Sequence, residues 1–326
     1  NLQEMCLLLH LAVAVPLLVS ALPIPRLTCD CVYKGQIFAH GLLGLILTVF
    51  PSWLLAWTVE GDFHELHSFM QSYVGVFHLA IAASIFHHGP GKQGRSFIFA
   101  RLLSAFFCLF TRLFAAYHLS EKSTRGLLIS AEFVTSSLIL DGAWLAAEIT
   151  RFIREEETSD ERLTALCAET TRYAEGKTSS YLTNALYADA AMAFCYALFH
   201  FAFPQNILKL VIKPSLDLDS HHYMWCRVFG ALWLTPAVGS LIAVHAPPAF
   251  QLTHLLQRLV VQVGIFVLHV YGHWIINVFS PNHITAFMIA GFFMSFHIST
   301  FYRYKKVFAA EPKSNISARV EIKKVR

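Results

Sequence analysis

Charged residues are scarce in this chain. Asp, Glu, Lys and Arg make up 14% of its 326 residues, whereas hydrophobic residues make up 56% and aromatic residues 14%. Soluble globular domains carry about 25% charged residues, most of them on the hydrated surface. The shortage therefore excludes an ordinary soluble protein of this length, and it favours a chain that buries much of its surface in a membrane.

The sequence also lacks the motifs of soluble cofactor enzymes. It contains no Walker loop, nucleophile elbow, dinucleotide-binding fingerprint or zinc-protease motif. Its seven cysteines are scattered, and Cys29 and Cys31 have no second pair with which to close a metal site or a disulfide framework. We therefore predict no cofactor and no metal. Nucleic acid is excluded as a partner, because the basic C-terminus has no interleaved aromatic residues after Tyr304.

Long apolar stretches are abundant. A helix that crosses about 30 Å of hydrocarbon needs about 20 mostly apolar residues. Nine stretches meet this requirement, at Met5–Leu22 and at 36–58, 70–88, 96–119, 124–150, 182–204, 223–246, 250–277 and 282–303. The first is interpreted as a retained anchor helix, although its length also suits a secretory signal peptide. The sequence thus predicts an all-α, polytopic transmembrane helical bundle.

The eight spans after the anchor divide into two halves of four. Between the halves lies a charged segment, and Val74-Gly75 in the first half is matched about 155 residues later by Val228-Phe229-Gly230. Four spans per half give both halves the same orientation, which predicts parallel repeats related by an axis along the membrane normal. The predicted divisions are an anchor helix and linker (1–33), a first repeat (34–150), a charged cytosolic linker (151–180), a second repeat (181–307) and a basic cytosolic tail (308–326).

The C-terminal tail predicts both orientation and location. Eight basic residues and two glutamates follow from Arg303 onward, and cytosolic segments of membrane proteins concentrate Lys and Arg. With the tail in the cytosol, Lys323 and Lys324 lie four and three positions from the end, which matches the dilysine signal that retrieves membrane proteins to the endoplasmic reticulum. The alternative is a basic tail that ends in this way by chance.

Acidic residues within the spans are the candidate catalytic groups. A charged side chain in hydrocarbon is costly, so such residues usually face a cavity, a partner helix or a substrate path. The three candidates are Glu132, Asp141 and Asp189. Depths estimated from a rise of about 1.5 Å per residue predict that Arg112 pairs with Glu132 and that Arg258 pairs with Asp189, with helix packing as the favoured role.

Asp141 is the strongest candidate for a general acid. No basic residue in the neighbouring helices has an obviously matching depth, and Ser137, Asp141, Trp144 and Glu148 share one helical face. A carboxyl group that stays protonated in an apolar, aromatic-lined cavity can donate its proton to a substrate. The alternative is a protonated side chain that bonds to a facing helix.

Aromatic and histidine side chains are the candidate substrate-binding groups. Trp144 and Trp233 lie deeper than the interfacial aromatic belt, where their rings can stabilise a carbocation or simply pack in the core. Tyr271, His269 and His273 cluster at the end of one span, and the two histidines share a helical face. That spacing suits half of a metal or haem site, but the sequence fixes no further ligand, so interhelical hydrogen bonding is favoured.

Three classes of function fit these features. The buried acids, the deep aromatics and the reticulum address favour an enzyme acting on a prenylated or lipid-like substrate. Paired repeats are typical of transporters, although the spans lack the paired Gly/Pro interruptions of broken transporter helices. The absence of a motif also leaves open an accessory or assembly factor for another membrane protein. The sequence does not fix the oligomeric state.

The chain resembles, in outline, the fungal integral-membrane terpene cyclases of meroterpenoid pathways, in particular the larger class with about eight spans. The resemblance covers size, span number, the reticulum address and acids within apolar helices such as Asp141 and Asp189. It implies proton-initiated cyclisation of a prenyl chain or its terminal epoxide, with a carboxyl group as acid and aromatic rings as cation stabilisers. It implies no metal or organic cofactor.

Overall fold

The computed structural model describes residues 2–21, 29–60, 63–89, 94–120, 128–129, 131–154, 181–246 and 248–310. The helices are α1 (Leu2–Ala21), α2 (Cys29–Val49), α3 (Pro51–Thr58), α4 (Glu65–His88), α5 (Arg95–Ser120), α6 (Ala131–Arg154), α7 (Tyr181–Ala202), α8 (Pro204–Val211), α9 (Ser220–Leu232), α10 (Leu234–Ala243), α11 (Pro248–Val270) and α12 (His283–Ala310). Two short strands, β1 (Val59–Glu60) and β2 (Leu128–Ile129), pair antiparallel.

Within the described residues, seven helical segments are long and apolar enough to cross a membrane. They are α2, α4, α5, α7, α9 with α10, α11 with the turn after it, and α12. Helix α6 packs among them as a further full-length helix but carries buried Asp141 and Glu148. The apolar part of α1, Leu8–Ala21, is shorter. The chain is thus a multi-pass membrane protein, and the predicted all-α polytopic bundle is confirmed.

Several span boundaries differ from the predicted ones because prolines interrupt the helices. The apolar stretch 36–58 forms two helices, since Pro51 begins α3 where α2 has ended. The stretch 223–246 likewise divides at Trp233, shortly before Pro236. Proline has no backbone N–H to donate, and its ring clashes with the preceding turn.

Contacts at helix ends define two faces of the bundle. On one face, the Tyr33 hydroxyl in α2 donates to the Phe86 carbonyl near the end of α4 (3.0 Å), and Tyr181 at the start of α7 meets Thr300 in the C-terminal half of α12 (3.2 Å). We call this the tail face, because α12 ends there. On the opposite face, which we call the histidine face, the rings of His64 and His222 stack 5.3 Å apart. Helices α2 and α7 both start at the tail face, so the halves run in the same direction.

The starts of α4 and α9 repeat with an exact offset of 155 residues. His64 precedes α4 and Asp219 precedes α9, and the third helical residues are His67 and His222. In both helices, Nδ1 of that histidine lies 3.2 Å from the backbone nitrogen of the capping residue. The same local arrangement therefore begins the second span of each half.

Gly75 and Gly230 show the same offset in the helix interiors. A Cβ on Gly75 would lie 2.8 Å from the carbonyl oxygen of Gly44 in α2, and one on Gly230 would lie 2.5 Å from the backbone nitrogen of Phe201 in α7. Both distances are too short for a real side chain, so each glycine lets the first two spans of its half pack backbone to backbone. Small residues have this role in membrane helices generally.

The packing of the two halves differs at one place. Helix α1 packs against both α2 and α6 and buries Val13, Ala14 and Leu17 between them. In the second half, α7 and α12 are the corresponding helices, and they touch little. Toward the histidine face, the space between them is bordered by the short helix α8 and contains a cavity.

Some predictions fall outside the described residues. These are the Glu132 side chain, the Cys29 and Cys31 side chains, most of the charged linker 151–180, and the end of the chain with Lys323 and Lys324.

Candidate functional site

An apolar cavity of about 360 Å³ lies between α4 of the first half and helices of the second half, namely α7, α8, α9, α11 and α12. Helix α4 contributes Phe69 and Tyr73 to its wall, α7 contributes His200, and α11 contributes His269. The turn before α12 and the first turns of α12 close the remaining side. Pockets of this size and composition, apolar with a few convergent polar groups, are typical of small-molecule binding sites.

The mouth of the cavity is formed by apolar side chains. Phe199 of α7, Leu210 of α8 and Ile289 of α12 line the cavity and are exposed by 48%, 54% and 40%. These residues lie on the outer surface of a membrane bundle, so their exposed parts face acyl chains rather than water. The mouth of the cavity therefore opens on the apolar outer surface of the bundle.

The chain reverses sharply after α11 and so brings His283 to the cavity. Helix α11 ends in a single π-helical turn, Tyr271–Ile275, and Asn277 follows with φ 52°. Asparagine tolerates this left-handed conformation better than most residues. A Cβ on Gly272 would clash with the rings of Phe69 and Phe279, so only glycine allows the turn to pack this closely.

Helix α8 holds the returning segment in place. The backbone N–H of Ser280 donates to the Val211 carbonyl (2.8 Å), and that of Lys213 donates to the Val278 carbonyl (3.0 Å). The Ser280 hydroxyl also bonds to the Leu210 carbonyl (3.0 Å). The start of α12, and with it His283, is thus fixed to the wall of the cavity.

Two imidazoles meet in this wall. Nε2 of His283 lies 2.6 Å from Nδ1 of His269, and the His283 ring stacks on Phe279 with centroids 3.5 Å apart. The Tyr73 hydroxyl lies 3.4 Å from the same His269 nitrogen. One imidazole must donate and the other accept across so short a contact. The group can therefore release or take up a proton beside an apolar ligand.

The prediction that Asp141 has no basic partner is wrong. Its Oδ2 lies 3.4 Å from Nε of Arg112, and the Arg112 guanidinium also stacks on Trp225, 4.4 Å from the ring centroid. Helices α5 and α6 are antiparallel neighbours, and their estimated depths at these residues differ by only about 4 Å, which an arginine side chain spans. Asp141 does not line the cavity. The predicted partner of Arg112, Glu132, has a side chain outside the described residues.

The predicted pair of Asp189 with Arg258 is confirmed. The guanidinium donates to both carboxylate oxygens, at 2.6 and 2.7 Å. His297 and the Ser240 hydroxyl complete the surroundings, at 2.9 and 2.5 Å. Asp189 is 2% exposed and does not line the cavity, so its contacts are those of a packing group joining α7, α10, α11 and α12.

Trp144 and Trp233 are buried, but neither lines the cavity. Trp144 packs edge-on against His40 and His78, and its indole N–H donates to Glu148 (3.3 Å). Trp233 packs against Tyr196 with centroids 4.8 Å apart. Ser137, Asp141, Trp144 and Glu148 are all buried, which confirms the predicted common face of α6.

The three residues predicted at the end of α11 separate in the structure. His269 lines the cavity, whereas Tyr271 is 45% exposed and His273 packs against Trp274 (centroids 4.8 Å apart). The π-helical turn begins at Tyr271, which rotates the later residues away from the face that His269 occupies. The partner of His269 is His283, which sequence spacing alone could not find because it belongs to the next helix.

A second group of histidines lies at the histidine face and was missed in the sequence. His64 and His67 at the start of α4 meet His221 and His222 at the start of α9, around the carboxylate of Asp219. Asp219 lies 2.9 Å from Nε2 of His67 and 2.8 Å from Nδ1 of His222. The available signal was the pair of short motifs His-x-x-His and Asp-x-His-His at the 155-residue offset.

Two members of this group lie outside the spans and have shifted pKa values. Burial raises the pKa of Asp219, but hydrogen bonds and charge from His222 and His67 outweigh this and hold it well below its usual range. Burial lowers the pKa of His64, and the neighbouring His67 and His222 lower it further. Asp219 is therefore ionised and His64 neutral at neutral pH.

Comparisons with known proteins give one match. No curated protein sequence and no solved structure matches the chain. A family described as "Domain of unknown function (DUF8292)" matches residues 34–304, which include every span after α1 and both histidine groups. The chain belongs to this DUF8292 family.

Proposed function

We propose that the protein is an intramembrane enzyme that takes a prenylated or lipid-like substrate from the bilayer and performs proton transfer on it. The observation that carries this proposal is the apolar cavity with its lipid-facing mouth and with the imidazoles of His269 and His283 in its wall. A transport path requires access from both faces in turn. The described cavity instead lies near one face, which supports binding and chemistry there.

The most concrete reaction is proton-initiated cyclisation of a prenyl chain that ends in an epoxide. In this reaction the imidazole pair of His269 and His283, once it has taken up a proton, gives that proton to the epoxide oxygen as the C–O bond breaks. An alkene of the chain attacks the electron-deficient carbon and closes a ring. The neutral pair then removes a proton from the final cation, so the enzyme is regenerated without a co-reactant. The rings of Phe69, Phe229 and Phe279 line the path and stabilise positive charge.

This proposal assigns proton transfer to different residues from those expected in the sequence. Asp141 and Asp189 are held by arginines away from the cavity, so they support helix packing. Tyr73, His269 and His283 provide the polar groups that a bound substrate would contact.

Substrate binding is tested by filling the cavity. Purified protein in nanodiscs is irradiated with a farnesyl diazirine probe, and labelled peptides are mapped by mass spectrometry. Labels are expected in α7, α8 and the start of α12, and Ala286→Trp should remove them because Ala286 lines the cavity. Ala191→Trp, on the exposed surface of α7, is the matched control and should label as the parent does. Labelling of both variants at the parent level would contradict binding in the cavity.

Chemistry is tested in microsomes supplied with an epoxyfarnesyl phenolic substrate. A cyclised product is expected by mass spectrometry, and His283→Gln should reduce its rate about 100-fold or more, because general acid–base groups contribute about 10² to 10⁴. His87→Gln, on the tail face, is the control. The cyclase assignment is rejected if no product forms or if His283→Gln turns over normally. Movement of a solute across sealed vesicles would replace it by transport.

We further propose that the tail face lies in the cytosol and that the protein resides in the endoplasmic reticulum. Several basic residues occur at helix ends on this face, namely Lys34, Arg95, Arg151, Arg154, Arg303, Lys305 and Lys306. In sealed microsomes, an impermeant maleimide should label Arg154→Cys at once and Asp217→Cys only after the vesicles are opened. The reverse pattern would invert the topology. Substitution of Lys323 and Lys324 by serine should release the protein from the reticulum.

A further inference from the structure

The histidine face holds three imidazoles in a metal-binding arrangement. His64, His67 and His222 each offer one ring nitrogen, and these nitrogens all lie within 4.8 Å of one another. A zinc ion bound to histidine sits about 2.0–2.1 Å from each nitrogen, so ring shifts below about 1 Å suffice to form the site. His67 and His222 lie in the first turns of α4 and α9, and His64 directly precedes α4. The packing of these two helices therefore fixes the positions of the three residues.

Buried nitrogens without partners point to a ligand. Nε2 of His222 and Nδ1 of His64 are buried and have no hydrogen-bond partner among the described residues, and the His222 side chain is fully buried. Leaving a buried polar atom unpaired is costly, and such atoms are rare in folded proteins. A metal ion would satisfy both nitrogens at once.

The hydrogen bonds on the other ring nitrogens fit the protonation states that a metal needs. The Asp219 carboxylate can only accept, and its 2.8 Å contact with Nδ1 of His222 is shorter than the 3.2 Å contact of that nitrogen with the Asp219 backbone nitrogen, so the proton lies on Nδ1 and Nε2 keeps a lone pair. Its 2.9 Å contact likewise places a proton on Nε2 of His67, and Nδ1 of His67 would exchange its 3.2 Å contact with the His64 backbone N–H for the metal ion. His64 bonds to the backbone carbonyl of Asp217, which leaves Nδ1 free. A carboxylate behind a metal-bound histidine is a common feature of zinc sites.

Asp219 also resolves an electrostatic difficulty. Helix N-termini carry partial positive charge, so two of them together would repel a cation. The Asp219 carboxylate lies beside two of the three imidazoles and supplies the opposing charge. His221 can bind an ion only through Nδ1, which has no hydrogen-bond partner among the described residues, because its Nε2 accepts from the indole N–H of Trp225 at 3.0 Å.

We propose that His64, His67 and His222 bind a zinc-type divalent transition-metal ion, oriented by Asp219, and that this ion joins the two halves of the bundle. Imidazole ligands select such metals over calcium and magnesium, which prefer oxygen. The inference does not depend on the proposed function of the cavity, because none of these residues lines it.

Zinc binding is measured on the full chain, purified in detergent with a tag free of histidine and stripped with EDTA. Titration against a chromogenic chelator should give one tight zinc ion per chain, and X-ray absorption should show imidazole nitrogens at about 2.0–2.1 Å. His64→Ala should weaken binding at least tenfold. Asp219→Asn, which keeps all three ligands, should weaken it by about 10-fold to 100-fold.

The control variant is His87→Ala, which removes a histidine from the tail face. Zinc should raise the melting temperature of the parent and of this control but not of His64→Ala, since a ligand that binds only the folded state stabilises it. His64 lies before α4 and is only partly buried, so its variant is expected to fold. The proposal is overturned if the parent binds no stoichiometric zinc, or if His64→Ala and Asp219→Asn bind it as the parent does.

Discussion

The two halves of the bundle pack their first two spans in the same way, but they differ in what packs between their first and fourth spans. In both halves the second span has a histidine at its third position that contacts the backbone of the capping residue, and the span packs through a glycine, Gly75 or Gly230, against the first span. In the first half α1 packs against the first and fourth spans. In the second half no described helix takes the place of α1, and a cavity lies there instead. The half with the unfilled space is therefore the half with room for a ligand.

The ion pairs of the two halves should differ most strongly in their effect on stability. Asp189 binds Arg258 through two short hydrogen bonds and also contacts His297, whereas Asp141 has one 3.4 Å contact with Arg112. Asp189→Ala leaves a buried guanidinium unpaired and should lower the free energy of unfolding by roughly 3–5 kcal/mol. Asp141→Asn should lower it less. Thermal unfolding in detergent, followed by tryptophan fluorescence, measures both, and a larger loss for Asp141→Asn would contradict the comparison.

If the two halves are related, alanine substitutions at Gly75 and Gly230 should lower the free energy of unfolding by similar amounts. Gly75→Ala and Gly230→Ala each place a methyl group against backbone atoms of the neighbouring helix, and overpacking of this kind costs about 1–3 kcal/mol. Gly142 has open space around its Cβ position, so Gly142→Ala should be neutral or stabilising. The same unfolding measurement applies. A loss at one glycine only would show that the two contacts are not equivalent.

The smallest change in the free energy of unfolding is expected for a substitution that extends into the cavity of the second half. Ala286→Phe extends into the cavity and should change the free energy of unfolding by less than about 0.5 kcal/mol. Ala14→Phe, in the fully buried face of α1, should destabilise by about 1–3 kcal/mol. Melting temperatures of the two variants test this directly. Equal destabilisation would mean that the space between α7 and α12 closes in solution.

Much of the fold follows from composition and spacing. Apolar length located each of the seven candidate spans in the part of the chain that the structure describes, and the pair of Asp189 with Arg258 was found from depth along the helices. The same argument missed the contact of Asp141 with Arg112, because the predicted span began at 124 whereas α6 begins at Ala131, which placed Asp141 about 10 Å too deep. It also missed Arg101 with Glu148, at 3.0 Å, although both lie about six residues from the tail-face ends of their antiparallel helices.

The candidate site was less predictable because its residues come from distant parts of the chain. His269 was identified, but His283 reaches it only through the π-helical turn and the contacts of the following segment with α8. Likewise, His64 and His222 are 158 residues apart in the sequence, and they meet only because α4 and α9 pack side by side.

The sequence by itself determined that this chain is a helical membrane protein, because hydrocarbon demands long apolar helices, and its fixed offset of 155 residues predicted the two halves. The tertiary structure alone decided which acids are neutralised, where the space remains and which histidines meet. Those outcomes depend on side-chain contacts between helices, and helical periodicity does not show which helices become neighbours.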